Sequence, residues 1–123
     1  MVYSIALEMR RSARNRGFES HPLRMYQAKF YKTIDREKIE EDIRKEGFDP
    51  LIVSNTPGFV YEKHQHQATK LLAFLKGSMN VKVGDKIHHC EPGDKLVIPG
   101  NTLHESVVNR TGCTFFWSEK VLE

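Results

Sequence analysis

Two histidines stand one residue apart in the stretch GFVYEKHQHQATKLLAFLKG, residues 58–77, whose composition is typical of β-strands. Side chains of a strand alternate between its faces, so His64 and His66 share a face and lie about 7 Å apart along the chain. The same alternation places Val60 and Glu62 on that face. Imidazoles that converge inside a barrel can hold a divalent cation at about 2.0–2.2 Å. On its own, however, the His-x-His pattern is more typical of two histidines that bind nothing.

Short apolar runs separated by turn residues fill most of the chain after residue 49. They are LIVSN, FVYEKHQH, KLLAFLKG, MNVKVG, KIHHC, KLVIPG, HESVVN and CTFFWSEK. Gly, Pro, Asn and Asp lie between most of them, including the pair Thr111-Gly112. Many short strands at this spacing predict an all-β sandwich or barrel.

A strand and a helix are predicted ahead of these runs. MYQAKFYKT, residues 25–33, alternates apolar and polar positions and predicts a strand. The segment that follows predicts a surface helix over about 35–46, with Asp35 as its N-cap and Gly47 just past its end. Few apolar residues lie in this helix, so we expect it to bury only a narrow stripe.

The wider spacing around the two histidines resembles the first motif of the cupin family. Gly58 is followed after five residues by His64-x-His66, after three more by Lys70, and after six more by Gly77. The family usually has a glutamate where this chain has Lys70.

A second stretch, GDKLVIPGNTLHE at residues 93–105, resembles the second cupin motif. Pro99 is followed by His104 at the position of the family's remaining metal ligand. Asn101 stands where the family usually has a glycine, and asparagine also tolerates positive φ. The resemblance runs from about residue 25 to residue 120, with both motifs in order.

The resemblance implies a double-stranded β-helix, or jelly-roll barrel, with a site inside one end. Carried over by position, the metal ligands are His64, His66 and His104, and Lys70 occupies the place of the glutamate. The implied cofactor is one divalent ion such as Fe, Zn, Ni or Mn.

Lys70 changes what such a site can be, because an ammonium has no lone pair to donate. At about 4 Å and an effective dielectric constant near 20, two unit charges interact by about 4 kcal/mol, and a dication doubles this. We therefore do not expect a charged Lys70 beside a bound dication. Three arrangements remain. In the first, Lys70 turns away and leaves a three-histidine site, and in the second, Glu62 supplies the missing carboxylate. In the third, the pocket holds no metal and binds an anion. The first of these arrangements is favoured.

Structural positions can be predicted for other residues near the motifs as well. Leu72 and Phe74 share a face with Lys70 and are predicted to form core or pocket wall. His88 and His89 are adjacent in sequence, so only one of them can face the barrel interior.

Composition divides the chain into an arm and one domain. Residues 1–24 carry five Arg and no Lys, which predicts an appendage: a poorly ordered arm, a targeting peptide or the product of a mis-assigned start. Residues 25–123 form the predicted cupin domain, with the helix over about 35–46 and the barrel over about 49–120. The 98 residues after Met25 hold 14 basic and 14 acidic side chains, so this domain has no basic field for nucleic acid.

The predicted environment is the cytoplasm. No apolar run approaches the roughly 20 residues that span a bilayer. The two cysteines, Cys90 and Cys113, form no C-x-x-C motif and are predicted to be buried and reduced. We expect a homodimer that binds a small molecule, and neither nucleic acid nor membrane.

Two functions remain open from the sequence. The first is a small metal-binding cupin, in which three histidines hold a divalent ion that binds or acts on a small oxygenated molecule. The alternative is a metal-free binding or sensing module with a cationic His/Lys pocket for an anionic or sugar-like ligand. The chain has no clear general base, so it is assigned neither as an enzyme nor as a binding protein. If it is an enzyme, the resemblance implies a dioxygenase, isomerase or decarboxylase.

Overall fold

The computed structural model describes residues 25–121, and the Arg-rich segment 1–24 lies outside the described residues. These residues form one helix and seven strands. The strands are β1 (Tyr26–Gln27), β2 (Phe48–Asn55), β3 (Val60–His64), β4 (Lys70–Val83), β5 (Lys86–Cys90), β6 (Lys95–Ile98) and β7 (His104–Lys120), and the helix is α1 (Arg36–Lys45). Within this range no helix is both long and apolar enough to cross a membrane.

All of the strand pairs are antiparallel, and two long strands organise them. The first half of β4 pairs with β6 and with the second half of β7, which also pairs with β2. The second half of β4 pairs with β5 and with the first half of β7, which also pairs with β3. Each half therefore builds one of two facing sheets, and the result is the predicted jelly-roll barrel.

Two sequence segments expected as separate strands are joined in each long strand. KLLAFLKG and MNVKVG both lie in β4, and HESVVN and CTFFWSEK both lie in β7. The turn expected at Thr111-Gly112 does not reverse the chain. The chain bends there and continues within β7. The register between β4 and β7 shifts on both sides of Gly77, and such bulges bend a strand without ending it.

An inner core fills the space between the two sheets. It contains aliphatic, aromatic and thiol side chains from both halves of the barrel: Leu72, Phe74, Met79, Val81, Val83, Cys90, Leu96, Ile98, Val108, Cys113 and Phe115. The two free cysteines are thus buried, as predicted. This core closes the barrel beneath the end where the histidines lie.

The helix α1 covers the outer face of the first half of β4. Asp35 is its N-cap and accepts a hydrogen bond from the Lys38 amide, as the sequence predicts. Ile39 and Ile43 are buried against Leu71, Ala73, Val97 and Phe116. Lys95 fastens the end of the helix to the sheet, since its Nζ lies 2.8 and 2.9 Å from the two carboxylate oxygens of Glu46.

The strand predicted over residues 25–33 is shorter in the structure. It ends after Gln27, and Lys29 adopts a positive φ of 52°. The buried carboxylate of Asp94 accepts hydrogen bonds from the Lys29 amide and the Tyr26 hydroxyl, both at 2.8 Å. These contacts turn the chain away from β6 and replace the ladder that a longer strand would make.

Candidate metal and ligand site

Three histidines meet at one end of the barrel. His64 ends β3 and pairs directly with His104, which begins β7, and His66 follows two residues after β3. One ring nitrogen from each residue lies within 4.8 Å of the others. The ring centroids are 4.3 Å apart for His64 and His104, 4.7 Å for His64 and His66, and 5.3 Å for His66 and His104. The two sequence motifs thus place their histidines in one cluster, as the resemblance implies.

Backbone carbonyls orient two of the rings. His104 Nδ1 donates to the carbonyl oxygen of Thr102 at 2.9 Å, and His64 Nδ1 donates to that of Glu62. A ring that donates through Nδ1 keeps the lone pair of Nε2 available in its neutral form. Such hydrogen bonds to the second nitrogen are the usual support of histidine ligands to metals.

Burial favours the neutral form of two imidazoles of the cluster, those of His66 and His104. Loss of solvent lowers the pKa of His104 to about 4, with smaller contributions from the neighbouring histidines and Lys70. The pKa of His66 is lowered as well, first by burial and then by Lys70. Neutral imidazole is the form that binds metal, so little proton release is required for either residue near neutral pH.

The loop before β7 holds His66 in place. The Asn101 amide donates to the carbonyl oxygen of His66 at 2.6 Å. Asn101 has a positive φ of 60°, a conformation that asparagine tolerates. A β-carbon on Gly100 would lie 2.2 Å from the carbonyl oxygen of Gln67, so only glycine allows this close approach. The second motif therefore positions the first as well as supplying His104.

The cluster fits a divalent metal ion on the basis of its unused donors. Nε2 of His66 and Nε2 of His104 are both buried and have no hydrogen-bond partner among the described residues. A buried acceptor without a partner costs about 1–3 kcal/mol, which a coordinated ion would offset. Tetrahedral bonds of 2.0–2.1 Å place ligand atoms roughly 3.3 Å apart, so small rotations of the rings would complete the geometry.

Lys70 lies beside this cluster and does not take part in it as a ligand. Its side chain is only 7% exposed, and Nζ lies 3.0 Å from Glu119 Oε1. Nζ also lies 5.1 Å from the centre of the Trp117 ring, whose centroid is 5.6 Å from that of His66. Lys70 therefore points away to an ion pair on β7, and the carboxylate that it meets is Glu119.

Trp117 and Glu119 are site residues that the sequence analysis did not identify. Trp117 pairs with Leu72 and Glu119 pairs with Lys70 across β4 and β7, which places both on the inward face. The alternation of CTFFWSEK contains this signal, but only together with the register between the two strands.

Glu62 lies elsewhere than the alternation predicts. The side chain of Glu62 is exposed, and Val60 is 51% exposed, whereas Tyr61 packs against the inner core. The reason is a bulge: Tyr61 pairs with Ser106 and His64 with His104, so three steps along β3 match two along β7. The bulge reverses which residues share the face of His64.

The remaining expected residues lie inside the barrel. Leu72 and Phe74 are 3% and 0% exposed and share the inward face with Lys70 in the inner core. Of the adjacent histidines, His88 is buried and His89 is exposed. His88 packs 5.0 Å from the Tyr26 ring, and burial lowers its pKa. The cluster of His64, His66 and His104 does not include His88.

Comparison of the sequence with known families gives one assignment. The family described as AraC-like ligand binding domain matches residues 51–119, more than half of the chain. The chain belongs to this family. The matched residues include all three clustered histidines, Lys70 and Glu119, so the site lies within the AraC-like domain. No curated protein sequence matches the chain.

Solved structures confirm a cupin fold for this AraC-like domain. KdgF from Halomonas sp. is 20% identical, with a TM-score of 0.55 over 62% of this chain and 72% of that one. An RmlC-like cupin from Shewanella frigidimarina is 18% identical, with a TM-score of 0.56 over 63% and 68%. Bacillus subtilis oxalate decarboxylase, a protein with Mn(II) centres, is 18% identical, with a TM-score of 0.57 over 67% of this chain and 23% of that one. At these identities the likeness concerns the fold alone.

Proposed function

We propose that this AraC-like cupin domain holds one divalent metal ion through His64, His66 and His104, and binds or acts on a small oxygenated molecule there. The observation that carries the proposal is the convergence of three histidines, each with a ring nitrogen within 4.8 Å of the others, together with the buried Nε2 atoms of His66 and His104, which have no partner among the described residues. When bound, the ion supplies a Lewis acid that polarises an oxygen of the small molecule.

Three neutral donors suit several metals. Imidazole nitrogen is a good ligand for Zn, Fe and Ni, and three protein ligands leave further coordination positions open. Mn favours sites with more oxygen ligands, and Glu62, the carboxylate considered from the sequence, is exposed. Zinc, iron and nickel are therefore favoured over manganese in the proposal.

The roles of the chain's own residues follow from their positions. The Thr102 and Glu62 carbonyls orient the rings of His104 and His64, and the inner core excludes water beneath them. No acidic side chain joins the histidine cluster among residues 25–121. A general base in contact with the reacting molecule is thus not evident, and binding without turnover is included in the proposal.

Metal analysis of the full chain tests this function. Protein purified without chelator or histidine tag should contain about one equivalent of iron, nickel or zinc, and His64→Ala should contain much less. A protein that stays free of metal after incubation with each of these ions would contradict the proposal.

A second candidate function is a metal-free module that binds a small anion. It is favoured by the burial of Lys70, which places an ammonium beside the histidines. A metal-free protein whose melting temperature rises with sugar acids or phosphate would support this candidate over the first.

Two further expectations stay predictions. A homodimer is one of them, and light scattering after size-exclusion chromatography would test it. The other is a cytoplasmic location, which fractionation of native cells would test.

A further inference from the structure

Lys70 has an unusual electrostatic environment for a buried cation. Its side chain is 7% exposed, yet its ion-pair partner, Glu119, is 57% exposed. Buried charges are normally paired with groups that are equally withdrawn from water, because solvent weakens the attraction of an exposed partner. Among the described residues, the hydrogen-bond acceptor of Lys70 Nζ is Glu119 Oε1, at 3.0 Å. An ammonium with three donor hydrogens therefore keeps capacity for a further acceptor.

The groups around Lys70 add no negative charge on the side of the histidines. Trp117 presents a ring at 5.1 Å from Nζ, and His66 packs against the same ring. The histidine cluster contains no carboxylate within residues 25–121. Because Lys70 turns to Glu119, its ammonium can stay charged when a dication is bound at the histidines, and the site then carries both positive charges against a single exposed carboxylate. Such a field attracts anions and disfavours cationic ligands.

We propose that Lys70 binds a carboxylate of the small molecule, and that Glu119 is the counter-ion which this carboxylate replaces. The inference rests on the proposed function, because the other end of the molecule lies at the histidine cluster. A carboxylate fits because the group it replaces is itself a carboxylate that reaches Nζ through one oxygen. The ligand class is then a small carboxylic acid with a second oxygen substituent for the histidine cluster, such as a 2-hydroxy acid.

Glu119 gives this site selectivity as well as charge balance. A neutral molecule cannot displace the Glu119 carboxylate, because Lys70 would lose its partner without gaining another. A carboxylate can displace it, and Glu119 then turns to solvent, where more than half of its side chain already lies. Replacement of Glu119 by glutamine should therefore strengthen carboxylate binding and leave neutral ligands unaffected.

Trp117 provides the measurement. It is the chain's one tryptophan and contacts both Lys70 and His66, so its fluorescence reports on ligands at either place. Lactate and its neutral counterpart lactamide are the paired probes, with inorganic phosphate as a third. Each is titrated into the full chain with and without zinc, for the wild type, Lys70→Met, Lys70→Arg and Glu119→Gln. Melting temperature and zinc content establish that each variant is folded and loaded.

The expected result is a preference of at least about tenfold for lactate over lactamide in the wild type. Lys70→Met should remove the preference while the protein still binds zinc, Lys70→Arg should keep most of it, and Glu119→Gln should increase it. A folded Lys70→Met protein that still prefers lactate would overturn the proposal, as would a wild type without preference. Tighter binding of phosphate than of lactate would overturn the assignment of a carboxylate.

The two proposals fail in different ways. Lactate preference that depends on Lys70 in a protein unable to bind metal supports the anion site and refutes the metal site. One equivalent of zinc without any lactate preference supports the metal site and refutes the role of Lys70.

Discussion

Gly77 packs against Gly112 so closely that a β-carbon on Gly77 would lie 2.0 Å from the Gly112 carbonyl oxygen. Both residues have positive φ, 72° and 75°, and they mark the bends at which β4 and β7 pass from one sheet to the other. Because β7 bends there and does not end, this single strand carries His104 at its start and both Trp117 and Glu119 near its end. The close contact between the two glycines thus lies where the two halves of β4 and β7 join.

Gly77→Ala should severely destabilise the protein. Side chains at positive φ cost roughly 1–2 kcal/mol, and the clash with the Gly112 backbone adds to this, since neither strand can move freely. Gly58→Ala is the matched control, because Gly58 has φ 79° but nothing within 4 Å of the added β-carbon. Urea unfolding should give a much larger loss for Gly77→Ala than for Gly58→Ala. Equal losses would show that backbone strain alone, without the close approach, determines the cost.

The sequence predicts the fold and the histidine cluster well, because both depend on local patterns and on motif spacing. The helix and its cap at Asp35 are confirmed, and Asn101 has the positive φ that asparagine tolerates. The continuity of β4 and β7 is not readable from the sequence, since Gly77 and Gly112 are typical of turns as well as of bends within a strand.

The surroundings of the cluster are predicted less well, because they depend on register. One bulge in β3 moves Glu62 out of the face of His64 and brings Tyr61 in. The partner of Lys70 lies 49 residues away, and only the pairing of β4 with β7 identifies it as Glu119. Strand alternation is reliable between bulges and fails across them.

His104→Ala should weaken zinc binding, because it removes one of three neutral nitrogen donors. We expect at least about a tenfold increase in the dissociation constant, which corresponds to about 1.4 kcal/mol. His88→Ala is the control, since His88 is also a buried histidine inside the barrel but is not part of the cluster. Competition with a zinc-binding dye measures both variants. Similar weakening in both would argue against His104 as a ligand.

Lys70→Glu should tighten metal binding, because it places a carboxylate beside three imidazoles and removes a positive charge. Lys70→Gln separates the two effects, since it removes the charge without supplying an anionic donor. The expected order of zinc affinity is Lys70→Glu, then Lys70→Gln, then the wild type. If Lys70→Glu and Lys70→Gln bind zinc equally, position 70 does not reach the metal.

The metal-free protein should lose stability as the pH falls from about 6.5 to about 4. Burial lowers the pKa of His104 from its ordinary value of 6.5 to about 4, so the unfolded chain binds a proton in this range that the folded chain does not. The stability linked to His104 is fully present above about 6.5 and is lost as the pH falls through the folded-state pKa. His66 and His88 have lowered pKa values as well, and their effect has the same sign. Urea unfolding of chelator-treated protein at several pH values measures the dependence. In His104→Asn the dependence should be weaker, and an unchanged slope in this variant would refute the role given to His104.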